Sequence, residues 1–228
     1  MSSFNSPKIV ALLPMKAHSS RVPGKNFRNL CGKPLFRWIL DSLHQIDKIS
    51  QIVINTDARN ILDEHKIYNF DKVLIRDRKP EICGDDISMN LVLQDDISNI
   101  ESDIFLMTHT TNPLISPETI LNSINLFQQA LATRDADSLF SVNRIQSRFY
   151  DINTNPINHD PQNLIPTQDL EPWFEENSCF YLFTRKSFYS SGARIGSNPM
   201  IYPTPKLESV DIDTEEDWSI AEAIMRGI

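Results

Sequence analysis

Short apolar runs alternate with segments of helical spacing along most of the chain. The apolar runs predict buried strands at 8–13, 51–55, 72–75, 103–107, 138–142, 177–183 and 207–213. Helical spacing predicts helices at 34–43, 58–70, 87–100, 116–131 and 214–226, with Ser116 as an N-cap and Pro117 in the first turn. Repeated strand–helix units of this kind predict an α/β fold of three layers, in which helices cover both faces of a mostly parallel sheet.

The regular alternation stops between residues 144 and 176. With 228 residues the chain fits a single domain, 1–228, and we interpret 144–176, together with the neighbouring strand, as an insertion into it. Loops this long inside a compact domain usually carry a function or an interface. This one contains many large apolar side chains, which would leave an unusual exposed patch on a monomer: Phe149, Tyr150, Ile152, Ile157, Leu164, Ile165, Trp173 and Phe174. The alternative interpretation is a lid folded onto its own subunit.

The distribution of charge is more informative than its total. A net charge of −8, from 22 basic and 30 acidic residues, argues against nucleic acid as a partner. The first 40 residues hold no acidic residue, yet they contain seven basic ones: Lys8, Lys16, Arg21, Lys25, Arg28, Lys33 and Arg37. A basic segment in an acidic protein predicts a site for a small polyanion such as a nucleotide, with a solvated basic face as the alternative.

The same sequence indicates a reduced, cytoplasmic protein. No run approaches 18 apolar residues, so we expect neither a membrane span nor a membrane partner. Residues 1–8 lack the basic-then-apolar layout of a signal peptide. Three widely spaced cysteines favour free thiols over a disulfide framework.

The loop after the first strand concentrates groups that suit a triphosphate. It carries Lys16, Arg21 and Lys25, with hydroxyl groups at Ser19 and Ser20, and it follows the carboxyl end of a strand, where doubly wound sheets bind ligands. It matches neither GxxxxGK[ST] nor GxGxxG, which argues against a Walker A or dinucleotide site. An ordinary basic surface loop is the alternative.

Two carboxylates near the carboxyl end have the spacing of a metal site. On a strand, Asp211 and Asp213 point to the same side. Paired carboxylates suit Mg²⁺ held together with substrate phosphates. Thr214 and Asp217 also form a capping-box pattern, so an acidic helix start is the alternative.

Three further polar segments follow predicted strands. Residues 55–57 are either an edge of the site or a cap for the next helix. The loop at 78–88 could read a base edge or lie on the surface. His109 suits a positioning or structural role better than that of a catalytic base, and no Ser-His-Asp spacing indicates a hydrolase.

These segments resemble the cytidylyltransferases that activate acidic sugars, the acylneuraminate (CMP-sialic acid) and CMP-Kdo synthetases. Residues 13–26 are similar to the family's first loop, [IL]-P-A-R-x-x-S-[KR]-x-[IVL]-P-x-K-N, and residues 211–217 match D-I-D-T-x-x-D without change. Looser likenesses to S-T-D, R-P-x-x-L-A-x-D, Q-P-T-S-P-L-R and N-G-A-I-Y lie at 55–57, 78–85, 109–115 and 177–181.

The resemblance implies a fold, a reaction and an assembly. The fold is the Rossmann-like nucleotide-diphospho-sugar transferase sheet. In the reaction, the anomeric hydroxyl of a 2-keto sugar acid attacks the α-phosphate of CTP, pyrophosphate leaves and Mg²⁺ is the cofactor. In these synthetases the insertion packs across a two-fold axis, which implies a homodimer built on 144–176.

The resemblance also implies roles for individual residues. Lys16, Lys25, Asp211 and Asp213 form the catalytic set, and the last two hold Mg²⁺. The residues expected at the sugar are Thr111, Asn177 and Tyr181. The residues expected at the nucleotide are Pro14, Met15, Lys16, Ser19, Arg21, Lys25, Asn26, Arg78, Ser88 and His109.

Several positions depart from the family pattern. Lys16 and His109 stand where the family has arginine and glutamine, Ile115 replaces an arginine, and Ser178 replaces a glycine. Residues 171–176 lack the arginines that sialic-acid enzymes tend to place there. These changes cluster near the sugar and leave the nucleotide and metal motifs largely intact, so the sequence indicates CTP-dependent transfer more firmly than it indicates the sugar. We expect an acylneuraminate-like acid, with Kdo, legionaminic and pseudaminic acids as alternatives. A non-catalytic nucleotide- or sugar-binding protein is a further alternative.

Overall fold

The computed structural model describes residues 7–19 and 21–227. Most of the segment 1–8, which we expect to lack a signal peptide, and the hydroxyl of Ser20 lie outside the described residues. The strands are β1 (Ile9–Leu12), β2 (Asn29–Leu30), β3 (Lys33–Pro34), β4 (Ile49–Thr56), β5 (Val73–Asp77), β6 (Ile104–Thr108), β7 (Ser138–Ile145), β8 (Trp173–Phe183) and β9 (Pro199–Pro203). The helices are α1 (Leu35–His44), α2 (Arg59–Glu64), α3 (Met89–Asn99), α4 (Pro117–Thr133), α5 (Arg185–Ser191) and α6 (Glu215–Gly227).

Seven strands form one sheet in the order β5-β4-β1-β6-β8-β7-β9. Parallel pairing joins β5, β4, β1 and β6, and β9 runs parallel to β7, whereas β8 is antiparallel to both of its neighbours. The predicted α/β class with a mostly parallel sheet is confirmed. The carboxyl ends of β1, β4 and β6 consequently meet at one edge.

The central strand explains the depth of the core. Ile9, Val10, Ala11 and Leu12 are all at most 1% exposed, as expected for a strand covered on both faces. Beside it, α1 buries one apolar stripe, made of Leu35, Phe36, Ile39, Leu40 and Leu43. The start of α4 is as predicted, because Ser116 accepts a hydrogen bond from the amide of Thr119 and Pro117 occupies the first turn.

The prediction of a strand at 207–213 is wrong. A turn forms there instead, in which the amide of Glu208 donates to the carbonyl of Pro205 at 2.9 Å, and Leu207 is 59% exposed. Residues 210–213 then run without a strand partner, and the amide of Ile212 donates to the carbonyl of Thr111 at 2.9 Å. The last strand of the sheet along the chain is β9. The pattern of apolar residues predicted neither β9 nor the helix α5.

The helix predicted at 58–70 is shorter than expected. It ends at Glu64, and Lys66 adopts a left-handed conformation with φ of 55° before a 3₁₀ turn at Ile67–Asn69. A residue in that conformation cannot continue an α-helix, so the apolar residues beyond it belong to a separate turn.

The segment 144–176 rests on an extension of the sheet. β7 and β8 continue as a two-stranded arm in which Ile145 pairs with Trp173, and the ring of Trp173 stacks on that of Phe149 with centroids 4.9 Å apart. Large side chains of the segment remain exposed, among them Ile152 at 97% and Leu164 at 61%. Across 7–19 and 21–227, the structure contains no helix with the length and apolarity to cross a bilayer.

Candidate active site

The first loop continues the sheet edge beyond β1. The amides of Leu13 and Met15 donate to the carbonyls of Val53 and Asn55, which carries the backbone past the end of the strand. The side chain of Asn26 then closes the loop, because its Nδ2 donates to the carbonyl of Lys16 at 2.8 Å and its Oδ1 accepts from Thr110 Oγ1 at 2.6 Å. The loop is thus held between the ends of β1 and β6.

A pocket of about 290 Å³ opens beneath this loop, and most predicted nucleotide residues line it. It contains Pro14, Met15, Lys16, Ser19, Arg21, Lys25, Asn26, Arg78 and His109, together with Thr111, which was predicted at the sugar. Ser88 lies apart from them. It caps α3 by accepting from the amide of Asn90 at 3.3 Å, and it lines a neighbouring cavity.

Two cations of the first loop are held by the closing segment. Lys25, which is largely buried, donates from Nζ to the carbonyl of Ile212 at 2.6 Å and to Asp213 Oδ1 at 3.1 Å. Arg21 Nη2 lies 2.9 Å from the same carboxylate oxygen. These contacts bring the predicted phosphate residues and the predicted metal residues to one place, although 207–213 is not a strand.

Asp211 provides a direct check on whether the residues present fit a metal ion. Its Oδ1 is buried and has no hydrogen-bond partner among the described residues. Burial raises the pKa of Asp211, the Thr111 side chain acts to lower it, and the neighbouring carboxylate of Asp213 acts to raise it. An unpartnered carboxylate oxygen beside a second carboxylate fits a divalent cation. No group of three or more His, Cys, Asp or Glu side chains converges in the described chain, so a cation held by these two carboxylates would need further ligands such as phosphate oxygens or water.

Two acidic side chains hold the other half of the loop. Lys16 Nζ donates to Asp85 Oδ1 at 2.5 Å, and this lysine lowers the pKa of Asp85. The amide of Ala17 donates to Asp57 Oδ1 at 2.7 Å. Residues 55–57 therefore form an edge of the site. Asp57 does not cap α2, whose N-cap is Ala58, although Thr56 Oγ1 accepts from the amide of Ala58 at 3.0 Å.

A buried relay that sequence reasoning missed fixes Arg78 in the pocket. Asn55 Nδ2 donates to Asp96 Oδ1 at 2.8 Å, which turns the amide oxygen of Asn55 toward Arg78. Arg78 Nε donates to that oxygen at 2.9 Å, and its Nη2 donates to the carbonyl of Asn55 at 2.9 Å. Burial raises the pKa of Asp96 to about 6, although Asn55 and Arg76 both act to lower it. Its position on the apolar face of α3, beside Val92, Leu93 and Ile97, was the available signal.

His109 is neutral near pH 7. Burial, together with the nearby cations of Arg194 and Lys25, lowers its pKa to about 4. A neutral imidazole donates and accepts hydrogen bonds as an amide does, which is compatible with histidine at a position where related enzymes carry glutamine.

Two of the residues predicted at the sugar, Asn177 and Tyr181, do not line the nucleotide pocket. Asn177 is largely buried, and its Nδ2 donates to Asn143 Oδ1 at 3.0 Å and to Thr204 Oγ1 at 2.7 Å. Tyr181 is fully buried, and its hydroxyl bonds to Glu176 and Ser178. Ser178 has a φ of 57°, a conformation that favours glycine, which accounts for the glycine of N-G-A-I-Y.

Comparison with known proteins identifies the group to which this site belongs. The family model described as cytidylyltransferase matches residues 10–226. The chain belongs to the cytidylyltransferase family. It is an enzyme of the nucleotidyltransferase class, as the first loop and the D-I-D-T-x-x-D segment predicted.

Two curated relatives are named for the formation of CMP-linked sugar acids. CMP-N,N'-diacetyllegionaminic acid synthase from Legionella pneumophila is 28% identical over 229 residues, which cover 96% of each protein. N-acylneuraminate cytidylyltransferase A from Danio rerio is 26% identical over 225 residues, covering 95% of this chain and 50% of the relative. The chain thus spans about half the length of the fish protein and nearly all of the bacterial one.

A solved structure shares the fold. CMP:2-keto-3-deoxy-manno-octonic acid synthetase, complexed with CTP, superimposes with a TM-score of 0.67 at 16% identity, covering 96% of this chain and 99% of the other. This agreement supports the nucleotide-diphospho-sugar transferase sheet.

Because Asp96 orients Asn55 and Asn55 orients Arg78, we expect Asp96→Ala to weaken binding of CTP. Without the acceptor, the amide of Asn55 is free to turn its NH₂ group toward Arg78. Calorimetric titration should show a Kd about tenfold higher, equivalent to about 1.4 kcal/mol.

A double-mutant cycle separates this relay from a general loss of packing. Arg78→Met should weaken CTP binding by a similar factor, and the double variant should bind no more weakly than Arg78→Met alone. Asp95→Ala is the matched control, because Asp95 pairs with Arg76 and Lys79 but does not contact Asn55. Additive losses in the double variant would show that Asp96 acts independently of Arg78.

Proposed function

We propose that this cytidylyltransferase transfers CMP from CTP to the anomeric hydroxyl of a 2-keto sugar acid of the acylneuraminate or legionaminate type, with release of pyrophosphate. The carrying observation is that Lys16, Arg21 and Lys25 line one pocket at the carboxyl edge of the sheet, where Arg21 and Lys25 also pair with Asp213, two positions from Asp211. The relative named for legionaminic acid, similar over nearly its whole length, supports this choice of sugar class.

The protein's own residues act on the triphosphate by position and charge. Lys16 and Arg21 lie on the solvent side of the pocket, and Lys25 lies deep within it. On CTP binding, these cations neutralise the phosphate oxygens and align the α-phosphorus with the attacking hydroxyl. Arg78, fixed by Asn55, borders the cytidine side. Phosphoryl chemistry needs little more than this positioning and charge stabilisation.

We further propose that Asp211 and Asp213 hold Mg²⁺. The buried, unpartnered Oδ1 of Asp211 supports this assignment. When bound, the ion would polarise the phosphate and neutralise charge that develops on the leaving pyrophosphate. Asp213 also accepts from Lys25 and forms an ion pair with Arg21, so one of the two carboxylates already shares a site with the cations.

The assay for this function is Mg²⁺-dependent release of pyrophosphate from CTP with four acids: N-acetylneuraminic, N,N'-diacetyllegionaminic, pseudaminic and Kdo. We expect release with one acid of the first two kinds. Release with only pseudaminic acid or only Kdo would show that the substrate is not of the acylneuraminate or legionaminate type. Binding of CTP without release under any condition would favour the non-catalytic alternative.

We also propose a cytoplasmic homodimer in which 144–176 forms much of the interface. The exposed apolar side chains of this segment support the dimer, and large aromatic side chains are typical of interface cores. The three cysteines are free thiols, which suits a reducing compartment.

The triphosphate assignment predicts that Lys16→Met and Lys25→Met each weaken CTP binding by about 1.5–3 kcal/mol, because each removes a charged donor. Lys16→Arg should be tolerated, since it keeps the charge and adds a second donor. Lys48→Met is the control, because Lys48 bonds to Asn125 and Gln128 outside the pocket. Unchanged CTP affinity in both methionine variants would contradict the assignment.

The metal assignment predicts that Asp211→Asn and Asp213→Asn each lower kcat at saturating Mg²⁺ by about a hundredfold or more, equivalent to about 2.7 kcal/mol. Asp217→Asn tests the helix-start alternative, because Asp217 accepts from the amides of Asp213 and Thr214. We expect it to lower Tm more than kcat. Near-normal turnover in both the Asp211 and the Asp213 variant would show that the two carboxylates do not hold a catalytic metal ion and belong only to the start of α6.

The assembly proposal predicts a dimer at micromolar concentration by light scattering. Replacing residues 147–174 with a short linker should yield a monomer, because it removes the exposed apolar surface while leaving most of the core. A wild-type monomer, or a dimer that survives the deletion, would disprove this interface.

A further inference from the structure

A second cavity, of about 340 Å³, adjoins the nucleotide pocket. Its wall consists of Ser88, Met89, Asn90, Glu176, Ala193, Arg194 and Ile195. Met89 lines both spaces, so the two cavities are neighbours. The volume falls in the range of small-molecule sites.

Arg194 contributes a cation to this wall, and the flat face of its guanidinium packs against an aromatic ring. Its Cζ lies 3.9 Å from the centroid of the Tyr181 ring, a cation–π contact. Its contact with Glu176 is long, 3.5 Å from Nη2 to Oε1, and that oxygen also accepts from the Tyr181 hydroxyl. A guanidinium has five N–H donors, so most donors of Arg194 are unused by the described residues.

The loop that carries Arg194 is fixed to the sheet. The amide of Gly196 donates to Ser138 Oγ at 2.8 Å, and the amide of Ser197 donates to Asp137 Oδ2 at 2.9 Å. A Cβ at Gly196 would lie 2.2 Å from Asp137 Oδ1, which shows how closely the loop approaches this aspartate. These hydrogen bonds fix the backbone of the loop, and therefore the position from which Arg194 reaches the cavity.

Arg194 also acts electrostatically on the nucleotide pocket. With Lys25, it lowers the pKa of His109, which lines that pocket. The cation therefore lies close enough to influence the space where phosphate and sugar meet. Lys25 reaches this space from the triphosphate side, and Arg194 reaches it from the second cavity.

The chemistry of the proposed substrate requires a cation at this junction. In a 2-keto sugar acid the carboxylate is bonded to the same carbon as the attacking hydroxyl, so it must lie beside the α-phosphate. Lys16, Arg21 and Lys25 face the triphosphate, and Ile115 and residues 171–176 supply no positive charge. Arg194 comes from a different part of the chain and has donors to spare.

We propose that Arg194 binds the carboxylate of the sugar acid in the second cavity, with Tyr181 supporting the guanidinium face. Glu176 keeps the guanidinium from turning away and is placed to accept sugar hydroxyls. This inference rests on the proposed function, and it adds a specificity residue for acids over neutral sugars. An arginine can hold a carboxylate with two parallel hydrogen bonds.

The test pairs a change in the protein with a change in the ligand. The probe is whichever of N-acetylneuraminic, N,N'-diacetyllegionaminic or pseudaminic acid or Kdo the wild type uses, compared with its methyl ester. The wild type should prefer the free acid by about ten- to a hundredfold in kcat/KM. Arg194→Met should raise KM for the acid by a similar factor and lose most of that preference, with the Kd for CTP unchanged.

Two variants exclude a merely structural effect. Arg194→Lys should recover part of the preference, because it keeps the charge but loses the two-pronged geometry. Arg185→Met is the matched control, because Arg185 also lies over an aromatic ring, that of Phe105, and pairs loosely with a glutamate, Glu101, at 3.6 Å. It should leave KM for the acid and the acid–ester preference unchanged.

The outcomes separate this inference from the proposed function. If no acid supports turnover, the proposed function fails, and calorimetric titration of the four acids into the CTP-bound protein tests Arg194 directly. Binding that Arg194→Met abolishes supports the inference, and absence of binding by all four acids overturns it. If turnover occurs, an undiminished acid–ester preference in Arg194→Met overturns the inference alone.

Discussion

Asp213 is the residue through which the two halves of the site are joined. Its carboxylate accepts from Lys25 at 3.1 Å and lies 2.9 Å from Arg21, while Lys25 also donates to the carbonyl of Ile212. These contacts hold the first loop against the segment before the last helix, across most of the length of the chain. Without them, the cations would have no fixed relation to Asp211, and neither set alone could position a triphosphate with a metal ion.

The topology of the sheet makes this meeting possible. β1 lies between β4 and β6, so the loops after all three strands leave from one edge, as is usual for ligand sites in open α/β sheets. The loop after β4 provides Asp57, and the loop after β6 provides His109 and Thr111. The amide of Ile212 donates to the carbonyl of Thr111, which draws the closing segment to the same edge. The antiparallel β8 then places Tyr181 and Glu176 beside the pocket, where the second cavity begins.

Local sequence patterns were sufficient for the sheet and for much of the pocket. The strands that surround β1 are continuous apolar runs, and the basic first loop follows directly after one of them, so both could be predicted from neighbouring residues. The path of 207–213 could not be predicted in this way, because 210–213 alternates apolar and polar residues as a strand does, yet a turn beginning at Pro205 keeps the segment from the sheet. Asp211 and Asp213 come together with the cations through loop contacts instead of a shared strand face.

Two parts of the site depend on contacts between distant segments, which no local pattern reports. Asp96 acts through Asn55, 41 positions away, and only its place on an apolar helix face hints at a role. Arg194 stands in a turn after a short helix, and its relation to Tyr181 arises from the return of the chain to the sheet. Both residues support or extend functions that the first loop and the closing segment already indicated.

The central claim is that the first loop and the closing segment form one nucleotide and metal site. Hydrogen–deuterium exchange with and without CTP and Mg²⁺ tests it most directly, because it reports each segment separately. We expect slower amide exchange in 14–26 and in 207–217 together when both ligands are present. Protection confined to one of these segments, or found in neither while CTP is bound, would contradict it.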